Sequence, residues 1–281
     1  MHPNFAFTAT QILWTLTFAA QLVLLVVLLG RDRMSRYPLF SASIVLFALR
    51  LLTEVLLSGR LPQMTLRVVF ISLANLAALL SLAVVAEIAR RAFAGATRGA
   101  WAVWSLAAVV LAGGVLAFWS PWPARAELAV DSPLAFLRLM QFVAQKMDML
   151  VDVLAIELGL LVLAIGRKYQ AGWRSHTQAI AIGLSTVAVA WLSVQGIWQV
   201  IARTAHPLTR DDYDRVINLG NKLVNANKVV YIAVLVWWIL WLWFDEPKAA
   251  ETGSETPVEE SAAEGQALLT EWPSRDEGEQ A

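Results

Sequence analysis

Cysteine is absent from the 281 residues, which excludes disulfides, thiolate nucleophiles and any cysteine-ligated metal. Histidine is almost absent as well. His2, His176 and His206 are scattered, and none has a second ligand at metal-binding spacing, so no metal is expected. Charge is scarce: 16% of residues are Asp, Glu, Lys or Arg, against about a quarter in an ordinary soluble domain. No phosphate loop, dinucleotide fingerprint, zinc motif or EF-hand occurs, and no nucleophile stands beside a recognisable base. Ser72, Ser81 and Ser185 fall in apolar runs, where small residues are normal packing elements. No catalytic residue, cofactor or nucleic-acid partner is expected.

What fills the chain is apolar. Hydrophobic residues make up 58% of it, with 13 tryptophans and a mean hydropathy of +0.58. A helix crossing about 30 Å of hydrocarbon needs roughly 20 mostly apolar residues. Seven stretches meet that requirement, at about 9–30, 38–58, 67–89, 100–119, 147–166, 178–200 and 225–244. The first lacks the basic leader and small-residue cleavage site of a signal peptide, and is expected to be retained. The reading is an all-α polytopic bundle of seven transmembrane helices lying in a lipid bilayer, the inner membrane of a bacterial-type cell. Trp101, Trp104, Trp119 and Trp122 bracket the fourth span, and Trp237, Trp238, Trp241 and Trp243 crowd the end of the seventh, as interfacial anchors do.

A net charge of zero conceals a division. Residues 245–281 hold 11 acids against Lys248 and Arg275, which leaves +9 for residues 1–244. An acidic tail with few large apolar residues cannot bury enough surface to fold alone. It is expected to be disordered and cytoplasmic, where it could contact a protein partner. Arg31, Arg33, Arg36, Arg90, Arg91, Arg98, Arg167, Lys168 and Arg174 lie in the short odd-numbered connections, with Asp32 as the one acid among them. The even connections carry as many bases, spread over longer loops that also hold acids. Density places the odd loops in the cytoplasm and the N-terminus outside.

Two helices are expected to begin well before their membrane spans. Ser132 reads as an N-cap with Pro133 at the first helical position, and Thr209 with Asp212 reads as a capping box. At 100° per residue, Arg138, Gln141, Gln145, Asp148 and Asp152 fall on one stripe, while Glu157 falls opposite, with Lys146. Asp214, Asn218, Asn221, Asn225 and Lys228 form a second stripe that enters the bilayer from outside. The second span adds Arg50 and Glu54 at i, i+4 spacing, where they can pair, and the sixth adds Gln195 and Gln199. Gln21 and Asn75 lie at mid-depth, and Glu87 sits beside Arg90 and Arg91 as a local partner.

Ionisable groups inside a membrane usually face a partner, the bundle interior or water. Asp152, Glu54, Arg50 and Lys228 are therefore expected to converge in an outer-half pocket for a small polar ligand or ion, flanked by Asp148, Asn221, Asn225, Gln195 and Gln199. The competing reading is a structural network that joins helices through hydrogen bonds. Paired acids at Asp148 and Asp152 would also suit a proton relay, but no internal repeat supports a transporter. No lysine occupies the middle of the last span, where Val234, Leu235 and Val236 stand, which argues against a retinal protein.

The seven spans and a first loop reading RYPLF at Arg36–Phe40 resemble uncharacterised bacterial multi-pass membrane proteins. That resemblance covers the membrane region and implies no particular function. The functional expectation is receptor-like or sensory binding of a small polar ligand. The alternatives are a small-solute or proton-coupled transporter and a structural subunit of a membrane complex.

Overall fold

The structure, a computed structural model, describes residues 8–57, 60–119, 122, 132–168, 175–204 and 209–246. The expected tail beyond Glu246 and His206 lie outside the described residues. Among the described residues, eight α-helices carry the fold: α1 Ala9–Gly30, the single turn α2 Arg33–Arg36, α3 Pro38–Leu57, α4 Gln63–Ala92, α5 Arg98–Trp119, α6 Pro133–Ile165, α7 His176–Thr204 and α8 Arg210–Trp243. No strand occurs among the described residues. Among the described residues, six helices are long and apolar enough to cross a membrane: α1, α3, α4, most of α5 and α7, and α8. Helix α6 stands apart because its apolar half carries Asp148, Asp152 and Glu157.

The helix starts follow the sequence signals, with one difference. Ser132 accepts a hydrogen bond from the Ala135 N–H, ahead of Pro133. Thr209 accepts from the Asp212 N–H, but its hydroxyl donates to the Asp212 carboxylate at 2.7 Å. The reciprocal half of a capping box is therefore missing, because the carboxylate takes the nearer hydroxyl. An unforeseen box occurs at Thr8 and Gln11, which cap each other's backbone N–H groups. Both long helices run unbroken over 33 and 34 residues. At 1.5 Å per residue each spans roughly 50 Å, well beyond the hydrocarbon thickness.

Six of the helices close into a ring in the order α1, α3, α4, α6, α7, α8, with α8 returning to α1. Helix α5 lies outside the ring, packed chiefly on α6. The main core fills only one half of the ring. It is built from Leu24 and Leu28 of α1, Phe40 and Ile44 of α3, Val84 and Ile88 of α4, Leu158 and Val162 of α6, Ile180 of α7, and Leu235 and Leu242 of α8. All of these lie toward the end that carries the first, third and fifth connections, called here the basic end. Toward the other end, burial persists along the α4–α6 pair at Ile71, Ala77, Leu137 and Ala144. No described residue of α3 beyond Ala48, of α7 beyond Ala188, or of α8 before Val234 is buried.

Close approach at the basic end depends on small residues, as expected where lipid offers apolar side chains an equal environment. A Cβ on Gly183 would meet the Trp238 indole at 2.3 Å, and one on Gly159 would meet Ser185 at 2.5 Å. The bare face at Gly183 lets the Trp238 Nε1–H donate to the Ala179 carbonyl at 3.2 Å. Trp238 is thus a core residue, packed edge-on against Phe40, and not an interfacial anchor. Trp243 does keep an exposed position, beneath the Arg31 guanidinium. Gly183 therefore lies on a packing surface, whereas Gly113 and Gly114 of α5 face open space.

Candidate functional site

Both ends of the ring are polar, but in different ways. At the basic end the groups pair with each other. The Tyr37 and Thr177 hydroxyls hydrogen-bond at 2.9 Å, joining the start of α3 to the start of α7. The Phe40 N–H donates to Glu87 Oε2 at 3.0 Å, and Glu87 Oε1 pairs with Arg91 at 3.6 Å. Glu87 is therefore the local partner of Arg91 and also caps α3 from a neighbouring helix, since RYPLF offers no Ser, Thr, Asp or Asn for that role. Asp245 pairs with Arg33 at 2.8 Å and Glu246 with Arg36 at 2.9 Å. Buried His176 donates its backbone N–H to Glu246 at 2.7 Å and places Nε2 2.9 Å from the Phe244 carbonyl. The first two residues of the expected tail thus belong to this cluster.

Burial works against the Glu246 carboxylate, but the His176 N–H, the His176 ring and Arg36 outweigh it and hold the group below its ordinary range. A depressed carboxylate stabilises the fold above its unfolded pKa, and that contribution is lost as pH falls through the folded value. Wild type is therefore expected to melt higher than Glu246→Gln at neutral pH in mild detergent. The gap should narrow as pH drops from about 4.3 downward; a gap independent of pH would refute the linkage.

At the opposite end the polar groups lie along helix faces that continue the packed ones. By the 100° rotation per residue, Arg50 and Glu54 extend the face of Ser43 and Phe47 on α3. Gln195 and Gln199 extend the face of Ala181 and Ala188 on α7, and Lys228 extends that of Tyr231 and Leu235 on α8. Asn221 and Asn225 sit at the edge of that last face. Asp148 and Asp152 are on the α6 face shared with Ala155 and Gly159. Where the core ends, the inward faces of the ring become polar.

Electrostatics links part of this set. Arg50 acts electrostatically on Asp148, and Asp148 acts on Asp152. One Asp152 carboxylate oxygen is buried with no hydrogen-bond partner. Arg50 and Glu54 form no ion pair among the described residues, and both are exposed. Lys228, Asn221, Asn225, Gln195 and Gln199 make no hydrogen bond or ion pair among the described residues, so their direct convergence on Asp152 is not seen. Asn221 is exposed, and the other four are half-buried. Around the site the stripe on α6 is anchored at its outer part, with Gln141 accepting from Arg67 at 3.4 Å. Asn75 donates to the Met140 carbonyl at 3.1 Å, which makes it a structural link between α4 and α6. Gln21 likewise links α1 to α8 through the Tyr231 hydroxyl.

Glu157 falls on the other face of α6, as its spacing indicates. It lines an apolar cavity of about 220 Å³ between α4, α5 and α6, with Trp104, Ser105, Leu154 and Leu158. Both its carboxyl oxygens are buried and unbonded. Because α5 covers it, Glu157 does not form a lipid-facing polar patch. Lys146 shares that face and lies over the Trp122 ring at 4.7 Å. No group of three metal-ligating side chains occurs among the described residues.

No protein-family model, curated protein or solved structure matches this chain.

Proposed function

We propose that the chain is a seven-span protein of a bacterial-type inner membrane, with α6 as a span despite its three acids. The N-terminus lies outside, and a small polar ligand binds in a vestibule at the outer half of the ring. Its action is receptor-like: ligand contacts made outside alter how the helices pack, and the basic end presents that change to the cytoplasm. The observation that carries this reading is the division of the ring into a packed half and a half whose inward faces are polar and unpaired. Three acids and two bases on those faces suit a zwitterion, with Asp148 and Asp152 taking its ammonium and Arg50 or Lys228 its carboxylate.

Purified protein should gain thermal stability with some member of a panel of amino acids, amines and small organic acids. That gain should be lost in Asp152→Asn and in Lys228→Met. An identical gain in both variants would eliminate the vestibule as the binding site.

Transport is the second reading, and one observation favours it: Glu157 is a buried, unpartnered acid on the far side of α6, as a relay would need. Uptake of the stabilising solute into vesicles, abolished by Glu157→Gln, would replace the receptor reading with this one. A structural subunit would instead copurify with a fixed partner and respond to no solute.

A further inference from the structure

A second cavity, of about 650 Å³, lies at the basic end, between the first turn of α3, the last turns of α4 and the start of α7. We infer that this cavity, lined by Arg36, Arg90, Arg91 and Thr177, is a binding site for a phosphate-bearing anion. It is at the opposite end of the ring from the vestibule and does not depend on the receptor reading.

The charges around it are only partly matched. Arg36 is held by Glu246 at 2.9 Å. Arg91 makes a long 3.6 Å pair with Glu87, and its Nε is buried without an acceptor. Glu87 is itself committed to the Phe40 N–H. Arg90 is exposed and has no ion pair among the described residues. An anion entering the cavity would therefore meet a free guanidinium, an unsatisfied buried N–H and the Thr177 hydroxyl. Arg36 and Arg91 both lie over the Tyr37 ring, at 5.6 and 5.1 Å, which fixes their planes and leaves fewer rotamers to freeze on binding. Pro38 and Leu39 place the N-terminus of the 20-residue α3 at the cavity wall, where its dipole favours negative charge. Phosphate suits this set better than a carboxylate does, because its non-bridging oxygens (two in a diester, three in a monoester) diverge tetrahedrally and can accept from several separated donors at once.

The remaining lining is Leu39, Ala83, Ala86, Ala94 and the Glu87 carboxylate, whose charge is offset by Arg91 and the Phe40 N–H. Leu39 is exposed on the outside of α3, so the cavity has an apolar flank beside a basic rim. Its volume exceeds that of a phosphate alone and admits a glycerol or sugar attached to it. The source is either an anionic phospholipid headgroup at the membrane surface or a soluble phosphate monoester.

The test uses full-length protein in detergent, with thermal stability and native mass spectrometry as readouts. One arm adds phosphatidylglycerol, with net-neutral phosphatidylcholine as control; the other adds glycerol phosphate. Arg90→Gln removes the guanidinium without breaking an ion pair or side-chain hydrogen bond among the described residues, and Arg210→Gln, at the other end of the ring, is the charge control. Binding in either arm, weakened about tenfold in Arg90→Gln and unchanged in Arg210→Gln, supports the site and identifies the source. Binding in neither arm, or equal binding by wild type and Arg90→Gln, overturns it.

Discussion

Gly183→Ala is expected to destabilise the bundle by about 1–3 kcal/mol, although alanine is the better helix former. The added methyl would sit 2.3–2.8 Å from three atoms of the Trp238 indole. That ring has nowhere to retreat. It is buried, edge-on to Phe40 at 5.0 Å, and its N–H is committed to the Ala179 carbonyl. Moving it would give up an aromatic contact worth about 0.5–1.5 kcal/mol and a hydrogen bond worth about 1 kcal/mol. Gly183→Leu should prevent recovery of folded protein. Gly113→Ala is the matched control: nothing lies within 4 Å of its Cβ, so the gain in helix propensity should leave stability unchanged or slightly higher. Apparent melting temperatures in one detergent compare the three directly; a Gly183→Ala protein as stable as Gly113→Ala would mean that α7 and α8 do not pack as described.

Glu87→Ala should be damaging by about 2–4 kcal/mol, for an electrostatic reason. Its carboxylate is the acceptor for the Phe40 N–H, one of the donors that the first turn of a helix cannot satisfy internally. It is also the acidic partner of half-buried Arg91. Alanine would orphan both. Glu87→Gln keeps a carbonyl oxygen for Phe40 and loses only the charge, so it should retain a good part of the stability. Equal losses in the two variants would show that the cap contributes nothing.

The helices were legible because their signals are local. Runs of about 20 apolar residues, Ser132 before Pro133 and Thr209 before Asp212 are read within a few positions, and each marks a helix or its start. The Thr8–Gln11 box is equally local, a Thr followed three residues later by a Gln. Rotation around α6 separated Glu157 from the two aspartates, and the α5 cavity reflects that separation. What periodicity could not supply was the pairing between helices far apart in sequence. Glu87 reaches Phe40 across 47 positions and Glu246 reaches His176 across 70, and nothing near either residue identifies its partner. For the same reason the i, i+4 spacing of Arg50 and Glu54 says nothing of Asp148 on α6, on which Arg50 acts electrostatically. Trp238 was misread because an aromatic at a span end looks the same whether it faces lipid or a glycine on the next helix.

The receptor reading requires the half of the ring away from the basic end to be a water-filled vestibule facing outward. The native chain has no cysteine, so single cysteines can be introduced without background. Gln195→Cys lies on the inward face of α7 in the open half, and Ala94→Cys lies at the basic end. A membrane-impermeant maleimide applied to intact cells should label Gln195→Cys at once and Ala94→Cys only after the membrane is opened. If Gln195→Cys stays unlabelled until the membrane is opened, or resists labelling in both conditions, there is no water-filled vestibule facing outward.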